Sequence, residues 1–166
     1  MSVSPSEGTT RSTNPDDGRV VDASEIGKFD LTMNLSHLLR RAHFQAEAIF
    51  DEHLRQFNTT PRQKALLIVS FQNPGATIND LSDGIALDRN STKEMLNRLV
   101  ERGLLLKQHS KTDRRAWEVD ITDAGIDLLC RILPGDQDVE RTILGRLPEE
   151  HHLIFRKCLR ILGGAE

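Results

Sequence analysis

The residues best suited to chemistry stand in two polar stretches, "DRNSTKEMLNR" at residues 88–98 and "KTDRR" at residues 111–115. The first stretch carries Arg and Asn, whose side chains form paired hydrogen bonds with guanine and adenine. The second stretch gathers one lysine and two arginines around a single aspartate, and such cations bind phosphate oxygens. These residue types predict recognition of a nucleic acid.

The first stretch supplies most of the candidate DNA contacts. Arg89, Asn90 and Asn97 are the leading candidates for base contacts because their side chains can bond two base atoms at once. Arg98 and Arg102 are candidates for phosphate contacts, and a solvated helix face is the alternative for both. The residues of this stretch expected to contact DNA are Arg89, Asn90, Ser91, Thr92, Lys93, Asn97 and Arg98.

A helix-turn-helix is predicted to carry this stretch. In "TINDLSDGIALDRNSTKEMLNRLVERGLL", Thr77 can cap one short helix and Asp88 a second, while Gly84 breaks the first. Gly103 then ends the second helix. A second helix that is polar in its first two turns has the composition of a recognition helix, whose side chains must reach base edges.

A β-hairpin is predicted next, with the basic stretch at its tip. "LLLKQHS" and "AWEVDI" are typical of two short strands, and in the second strand apolar residues alternate with acidic ones. A helix-turn-helix followed by a hairpin is a winged helix, and the wing tip would reach phosphates or the minor groove. The tip residues expected to work there are Lys111, Asp113, Arg114 and Arg115.

Helices are predicted on both sides of the winged helix. A long amphipathic helix is expected from Asp30 to Leu54, because apolar residues recur there every three or four positions. "TTPRQ" then opens a helix with a nearly continuous apolar run, which predicts burial at the centre of the fold. Arg62 and Lys64 in its first turn are weaker candidates for phosphate contacts.

The predicted fold class is mainly α with a small two-stranded β wing, as a winged helix-turn-helix domain plus a helical dimerisation region. Residues 1–28 are rich in Ser, Thr, Pro, Asp and Gly and are expected to form a flexible arm. Residues 29–58 and 123–166 are assigned to the dimerisation region, and residues 59–122 to DNA binding. A kink or break in the C-terminal helices is expected at Pro134.

Charge distribution favours a nucleic-acid partner more than the net charge of −3 does. Residues 61–122 carry ten Lys or Arg against eight Asp or Glu, whereas the remainder carries twelve against seventeen. A basic region on an acidic body suits a protein that touches phosphate with one part only. No stretch approaches eighteen apolar residues and no signal peptide is apparent, so we expect a soluble, cytoplasmic protein without a membrane partner.

The segment "LDRNSTKEMLNRLVERGLL" followed by "KTDRRAWEVDITDAG" resembles the MarR family of bacterial transcriptional regulators. The resemblance extends from about Asp30 to the C-terminus, and Ile121 replaces the leucine usual in the motif after the wing. It implies a homodimer formed by the N-terminal and C-terminal helices, with one winged helix on each half-site of a palindromic DNA operator. It also implies that Asp113 holds Arg115, which would enter the minor groove; a carboxylate–guanidinium pair can fix a side chain in this way.

The resemblance further implies a repressor that is released from DNA by a small aromatic acid, such as an intermediate of a catabolic pathway. On the long first helix, Arg40, His43 and Phe44 are candidates for binding an aromatic carboxylate. Phe44 projects opposite the main apolar stripe, which predicts a second buried face. A histidine packed in the core or at an interface is the alternative for His43.

Other classes of protein are less well supported by the sequence. No phosphate loop, nucleophile elbow or HExxH motif is present, so an enzyme is not expected, nor is a cofactor. Cys130 and Cys158 match no zinc or redox spacing and are expected to be buried free thiols, with a thiol sensor as the alternative. No metal site is predicted from the scattered histidines, although a zinc sensor stays open. A winged-helix module for protein interaction is the remaining rival.

Overall fold

The computed structural model describes residues 22–109 and 117–164. The predicted wing-tip contacts of Lys111, Asp113, Arg114 and Arg115 lie outside the described residues. The chain divides into two compact units, residues 1–42 and 43–166.

The first unit contains short helical turns ahead of the long first helix. Helix α1 (Ala23–Ile26) is a single turn inside the segment predicted as a flexible arm. Helix α2 (Leu35–Leu54) begins five residues later than the predicted start. The reason is local, because the Asp30 carboxylate accepts the Thr32 N–H at 2.9 Å and so caps a separate 3-10 turn. The prediction of one unbroken helix from Asp30 was therefore wrong at its beginning.

Helix α2 continues into the second unit and is followed by the central helix. A 3-10 turn after Leu54 ends at Asn58, whose φ of 49° is left-handed and stops the helix. Helix α3 (Pro61–Gln72) then begins with a capping box between Thr60 and Gln63. Leu66 and Leu67 on α3 are fully buried, which confirms the predicted start and the predicted burial of this helix.

The helix-turn-helix has the predicted caps. Helix α4 (Ile78–Gly84) is capped by Thr77, and helix α5 (Arg89–Glu101) by Asp88, whose carboxylate accepts the Ser91 N–H at 2.9 Å. The turn between the two helices passes through Ala86, with a φ of 51°. Gly103 ends the second helix region with a φ of 71°, as the sequence predicted.

Among the described residues, three strands form an antiparallel sheet in the order β1-β3-β2. Strand β2 (Leu105–His109) pairs with strand β3 (Trp117–Ile121), as predicted for the wing. Strand β1 (Ala76–Thr77) was missed, because two residues are too few to show an alternating pattern. It pairs with β3, and the N–H of Gly75, just before β1, donates to the Asp120 carboxylate on β3 at 2.8 Å.

The C-terminal third is helical and broken where proline predicted it. Helix α6 (Asp123–Ile132) and helix α7 (Asp136–Leu144) are separated by a 3-10 turn at 133–135, and helix α8 is His152–Leu162. Cys130 and Cys158 are both exposed, so the prediction of buried thiols was wrong. No helix of the described residues is long and apolar enough to cross a membrane.

The hydrophobic core lies in the second unit and joins the winged helix to α6. Each of these helices contributes one apolar stripe, and the stripes meet around α3, where burial of leucine side chains provides most of the driving force for folding. The fully buried side chains include Leu54, Leu66, Leu67, Leu81, Leu96, Leu99, Val119 and Ile132. Leu96 and Leu99 join the inner side of the recognition helix to this core.

Candidate nucleic-acid interface and effector groove

Helix α5 has one buried side and one broad polar side. Leu96 and Leu99 anchor it in the core. Asn90 and Asn97, two of the side chains predicted to reach base edges, are exposed on the opposite side. Arg89, the third, is also exposed, but it precedes Leu96 by seven residues and therefore lies on the core side, at the first turn of the helix. Ser91, Lys93 and Arg98 are exposed as well. The arrangement leaves the first two turns of the helix free to enter a major groove, which is what base recognition requires.

Thr92 does not belong to this exposed set. Its side chain is fully buried, and its hydroxyl donates to the backbone carbonyl of Asp88 at 2.9 Å. The prediction that Thr92 faces the DNA groove was wrong. The position lies four residues before Leu96 and seven before Leu99, so helical periodicity already placed it on the core side. The sequence prediction instead followed the polar residues on either side of Thr92.

The cap of the recognition helix contains a carboxyl with a lowered pKa. Hydrogen bonds from Ser91, first from its side chain and then from its backbone N–H, hold the pKa of the Asp88 carboxyl below its usual range. A carboxyl whose pKa is lowered by folding stabilises the folded protein at every pH above the ordinary pKa of that carboxyl. This stabilisation is lost as the pH falls through the lowered pKa.

We expect Asp88→Ala to lower Tm at neutral pH, with a difference from wild type that shrinks as the pH falls toward the ordinary aspartate pKa and below it. Thermal unfolding monitored by circular dichroism between neutral and acidic pH measures this. Asp83→Ala is the matched control, because Asp83 is exposed on the neighbouring helix and its side chain caps neither helix. A Tm difference for Asp88→Ala that stays constant over the whole pH range would contradict the cap's ionic contribution.

The phosphate candidates outside this stretch have different environments. Arg62 is exposed and lies 3.4 Å from Glu47. Arg102 is exposed and donates to Gln63 at 3.4 Å, beside Arg98 in a surface recess of about 560 Å³. Lys64 is buried, and its ammonium is paired with Asp136, so the prediction that it contacts DNA phosphate was wrong.

The outer end of the described wing strands, away from the core, contains an aromatic cluster that sequence analysis did not identify. The rings of His109 and Trp117 lie 3.8 Å apart, and the Lys107 ammonium is 4.6 Å from the Trp117 ring centroid. The two ring-bearing residues face each other in the strand register. A paired hairpin places these two positions opposite each other, so the sequence predicts their contact only when the strand register is already known.

A groove of about 490 Å³ lies between α2, the start of α3 and the α4–α5 turn. His43 lines it, and the Glu47 carboxylate lies 3.4 Å from both the His43 ring and the Arg62 guanidinium. A carboxylate entering the groove would compete with Glu47 for these two partners. The lining is completed by Ala46, Phe50, Pro61, Ala65, Ile85, Ala86 and Leu87.

The other two effector candidates differ from His43. Phe44 is 58% exposed and does not line the groove, so the predicted second buried face of α2 was wrong. Arg40 is exposed and belongs to the first unit. Phe50, which was not singled out, lines the groove seven residues after His43, a spacing that places two residues on the same face of a helix.

A second groove, of about 620 Å³, runs between α2 and α7 and contains His53, whose Nε2 lies 3.3 Å from the Ile132 carbonyl oxygen. It does not reach the helix-turn-helix. Within residues 22–109 and 117–164, no group of three or more His, Cys, Asp or Glu side chains is placed to hold a metal ion.

Comparison with known proteins identifies the fold and its role. Residues 59–117 match the sequence model described as the MarR family. A protein described as a transcriptional regulator of the hcr operon in Thauera aromatica is 31% identical over 115 residues, which cover 67% of this chain and 68% of that protein. The chain belongs to the MarR family. It is a transcriptional regulator with a winged helix-turn-helix and not an enzyme, as the sequence predicted.

Two solved structures of other bacterial proteins share the fold at low identity. BpsR of Bordetella bronchiseptica, whose DNA binding is regulated by 6-hydroxynicotinic acid, superposes with a TM-score of 0.77 at 25% identity and covers 83% of this chain and 99% of its own. PcaV of Streptomyces coelicolor, solved with its natural ligand, gives a TM-score of 0.75 at 26% identity, covering 82% and 96%. The predicted mainly helical fold with a small β wing is confirmed.

Proposed function

We propose that this MarR-family regulator is a cytoplasmic homodimeric repressor that binds a palindromic operator and is released by a small aromatic acid from a catabolic pathway. The observation that carries the proposal is the 490 Å³ groove, which touches both α2 and the α4–α5 turn of the helix-turn-helix. A ligand there contacts the turn that positions the recognition helix. Release requires only that the ligand bind one arrangement of that turn more tightly than the other.

Exposed apolar side chains support the homodimer. Helix α8 leaves a set of large apolar residues uncovered in the second unit, and a patch of this kind usually marks an interface. In the first unit, Leu31, Met33 and Leu35 are also more than half exposed. We therefore assign residues 29–58 and 123–166 to dimerisation and residues 59–122 to DNA binding. The exposed apolar residues of α8 are Leu153, Ile154, Leu159, Ile161 and Leu162.

The lining of the groove supports an aromatic acid as the effector. Phe50, Ile85 and Leu87 provide apolar walls for a planar ring, while Arg62 and His43 provide hydrogen-bond donors for a carboxylate. BpsR, at 25% identity, responds to an acid of this type, 6-hydroxynicotinic acid. The 620 Å³ groove is the weaker choice because it has no contact with the helix-turn-helix.

The first experiment is selection of tight-binding duplexes from a random-sequence pool, followed by gel shifts with 6-hydroxynicotinic, benzoic and salicylic acids. We expect a palindromic consensus and release by at least one acid. His43→Ala should keep operator affinity and lose the response to the acid, whereas Arg146→Ala, in the second groove, should keep both. Failure to select any sequence would contradict the operator, and release by none of the acids would contradict this effector class.

A thiol sensor is the second candidate, because the exposure of Cys130 and Cys158 makes both sulfurs accessible to oxidants. In the same gel shift, loss of binding on treatment with peroxide and recovery with dithiothreitol would favour it. A double Cys→Ser variant that is still released by peroxide would exclude it.

We propose that Arg115 contacts the DNA backbone or minor groove, and that Lys111, Asp113 and Arg114 take part in the same recognition. Arg115→Ala should weaken binding to all duplexes and lower the slope of log Kd against log salt by about one, because one cation no longer displaces counterions. Arg141→Ala is the control, since Arg141 lies on α7 and pairs with Asp138. An unchanged affinity and salt slope for Arg115→Ala would remove the wing from the mechanism.

A further inference from the structure

A buried ion pair joins the winged helix to the C-terminal helices. The Lys64 ammonium on α3 lies 2.8 and 2.6 Å from the two carboxylate oxygens of Asp136, the first residue of α7. Lys64 is only 8% exposed. A charge buried to this extent is costly unless it is paired, so the contact strongly favours one relative position of the two helices.

A second ion pair continues the connection to α8. Glu140, one turn after Asp136 on α7, accepts two hydrogen bonds from Arg156 on α8 at 2.7 and 3.4 Å. Hydrogen bonding by Arg156, its charge and then the more distant Lys64 hold the pKa of Glu140 below its usual range. Charges thus link α3 to α7 and α7 to α8, the helix with the exposed apolar side.

The first ion pair also contacts a residue of the 490 Å³ groove proposed to bind the effector. The Lys64 ammonium lies 4.7 Å from the centroid of the Phe50 ring, close enough for a cation–π interaction. Phe50 lines the groove, whereas Lys64 does not. A movement of the Phe50 ring would therefore change the environment of the Lys64 ammonium in the ion pair.

We propose that Lys64 and Asp136 are positioning residues that fix the winged helix relative to helices α7 and α8, and so set the spacing of the two recognition helices on the operator. This inference rests on the proposed homodimer. Apolar contacts are non-directional, whereas an ammonium held by both oxygens of one carboxylate defines a direction as well as a distance. The pair would also transmit a displacement of Phe50 by an effector to α7.

The proposal predicts a change in spacing preference and not only in stability. The test uses the duplex selected from the random pool, together with versions in which one base pair is added to or removed from its centre. The ratio of Kd values between altered and selected spacers is measured for full-length wild type and for Asp136→Asn and Lys64→Met. We expect both variants to reduce this ratio by about fivefold or more, the lower end of the usual coupling between sites.

Three controls separate positioning from general damage. The reversed pair, Lys64→Asp with Asp136→Lys, should recover part of the ratio. Arg141→Ala, which breaks an exposed ion pair within α7, should leave the ratio unchanged. Circular dichroism and light scattering identify variants that are folded and dimeric. Asp136→Asn is the milder change, because Asp136 is 26% exposed at its side chain and the amide oxygen can still accept a hydrogen bond from Lys64.

Either outcome is decisive. Folded, dimeric Asp136→Asn and Lys64→Met proteins that both keep the wild-type ratio would overturn the positioning role and leave the proposed repressor intact. A wild-type protein with no spacer preference would overturn the dimeric arrangement, and the positioning role with it.

Discussion

Gly125→Ala is expected to destabilise the protein by roughly 2 kcal/mol or more, since overpacking of a close contact usually costs 1–3 kcal/mol and here a backbone atom is involved. A Cβ added at Gly125, in the first turn of α6, would collide with the Leu104 carbonyl oxygen and lie 2.6 Å from Ile121 Cγ1. The Leu104 oxygen cannot easily retreat, because it accepts the Thr122 N–H at 3.1 Å. The helix and the wing strands would have to separate.

Thermal unfolding by calorimetry measures this effect, and Tm should fall by several degrees. Gly27→Ala is the matched control, because the nearest atom to an added Cβ there is 3.8 Å away, an ordinary contact. It should leave Tm unchanged or slightly raised, since alanine reduces the freedom of the unfolded chain. A Gly125→Ala protein as stable as wild type would contradict this prediction. It would show that α6 can move away from β3 without loss of stability.

Asn90→Ala should raise the Kd for the selected operator by about 5-fold to 150-fold, which corresponds to the 1–3 kcal/mol expected of one paired base contact. Asn90 is exposed in the first turn of α5 and shares a helix face with Asn97. Binding to random-sequence DNA should change little, because phosphate contacts supply most of it. Fluorescence anisotropy with the operator and its single-base variants would show reduced selectivity at one base pair.

Thr92→Val is the matched control on the same helix. Valine preserves the buried volume of Thr92 and removes only the hydroxyl that bonds to the Asp88 carbonyl oxygen. We expect lower stability with unchanged base preference. The assignment of the DNA-contacting side of α5 would be wrong if Thr92→Val altered the base preference and Asn90→Ala did not.

The sequence alone was sufficient for features that depend on residues three or four positions apart. Thr77 and Asp88 each cap the helix that they were expected to begin, because a cap bonds to a backbone N–H within the same turn. The paired wing strands and the break at Pro134 follow from equally local rules. Together with the spacing of the polar stretches, these features were enough to predict the family.

The sequence was less informative where the partner of a side chain is distant along the chain. Lys64 was expected near phosphate, but its partner is Asp136, 72 residues away. Thr92 stands in a polar run, yet the core defined by Leu96 and Leu99 encloses it. Phe50 acquires its place in the groove from α3 and the α4–α5 turn.

The difference between the features that the sequence predicts and those that it does not has a physical cause. Local hydrogen bonds and apolar periodicity determine where a helix begins, where it ends and which side it buries, and these are written in consecutive residues. Whether a polar side chain meets water, DNA or a buried counter-charge depends on which helices pack beside it. Only the tertiary structure decides that, because packing brings together residues that the sequence keeps far apart.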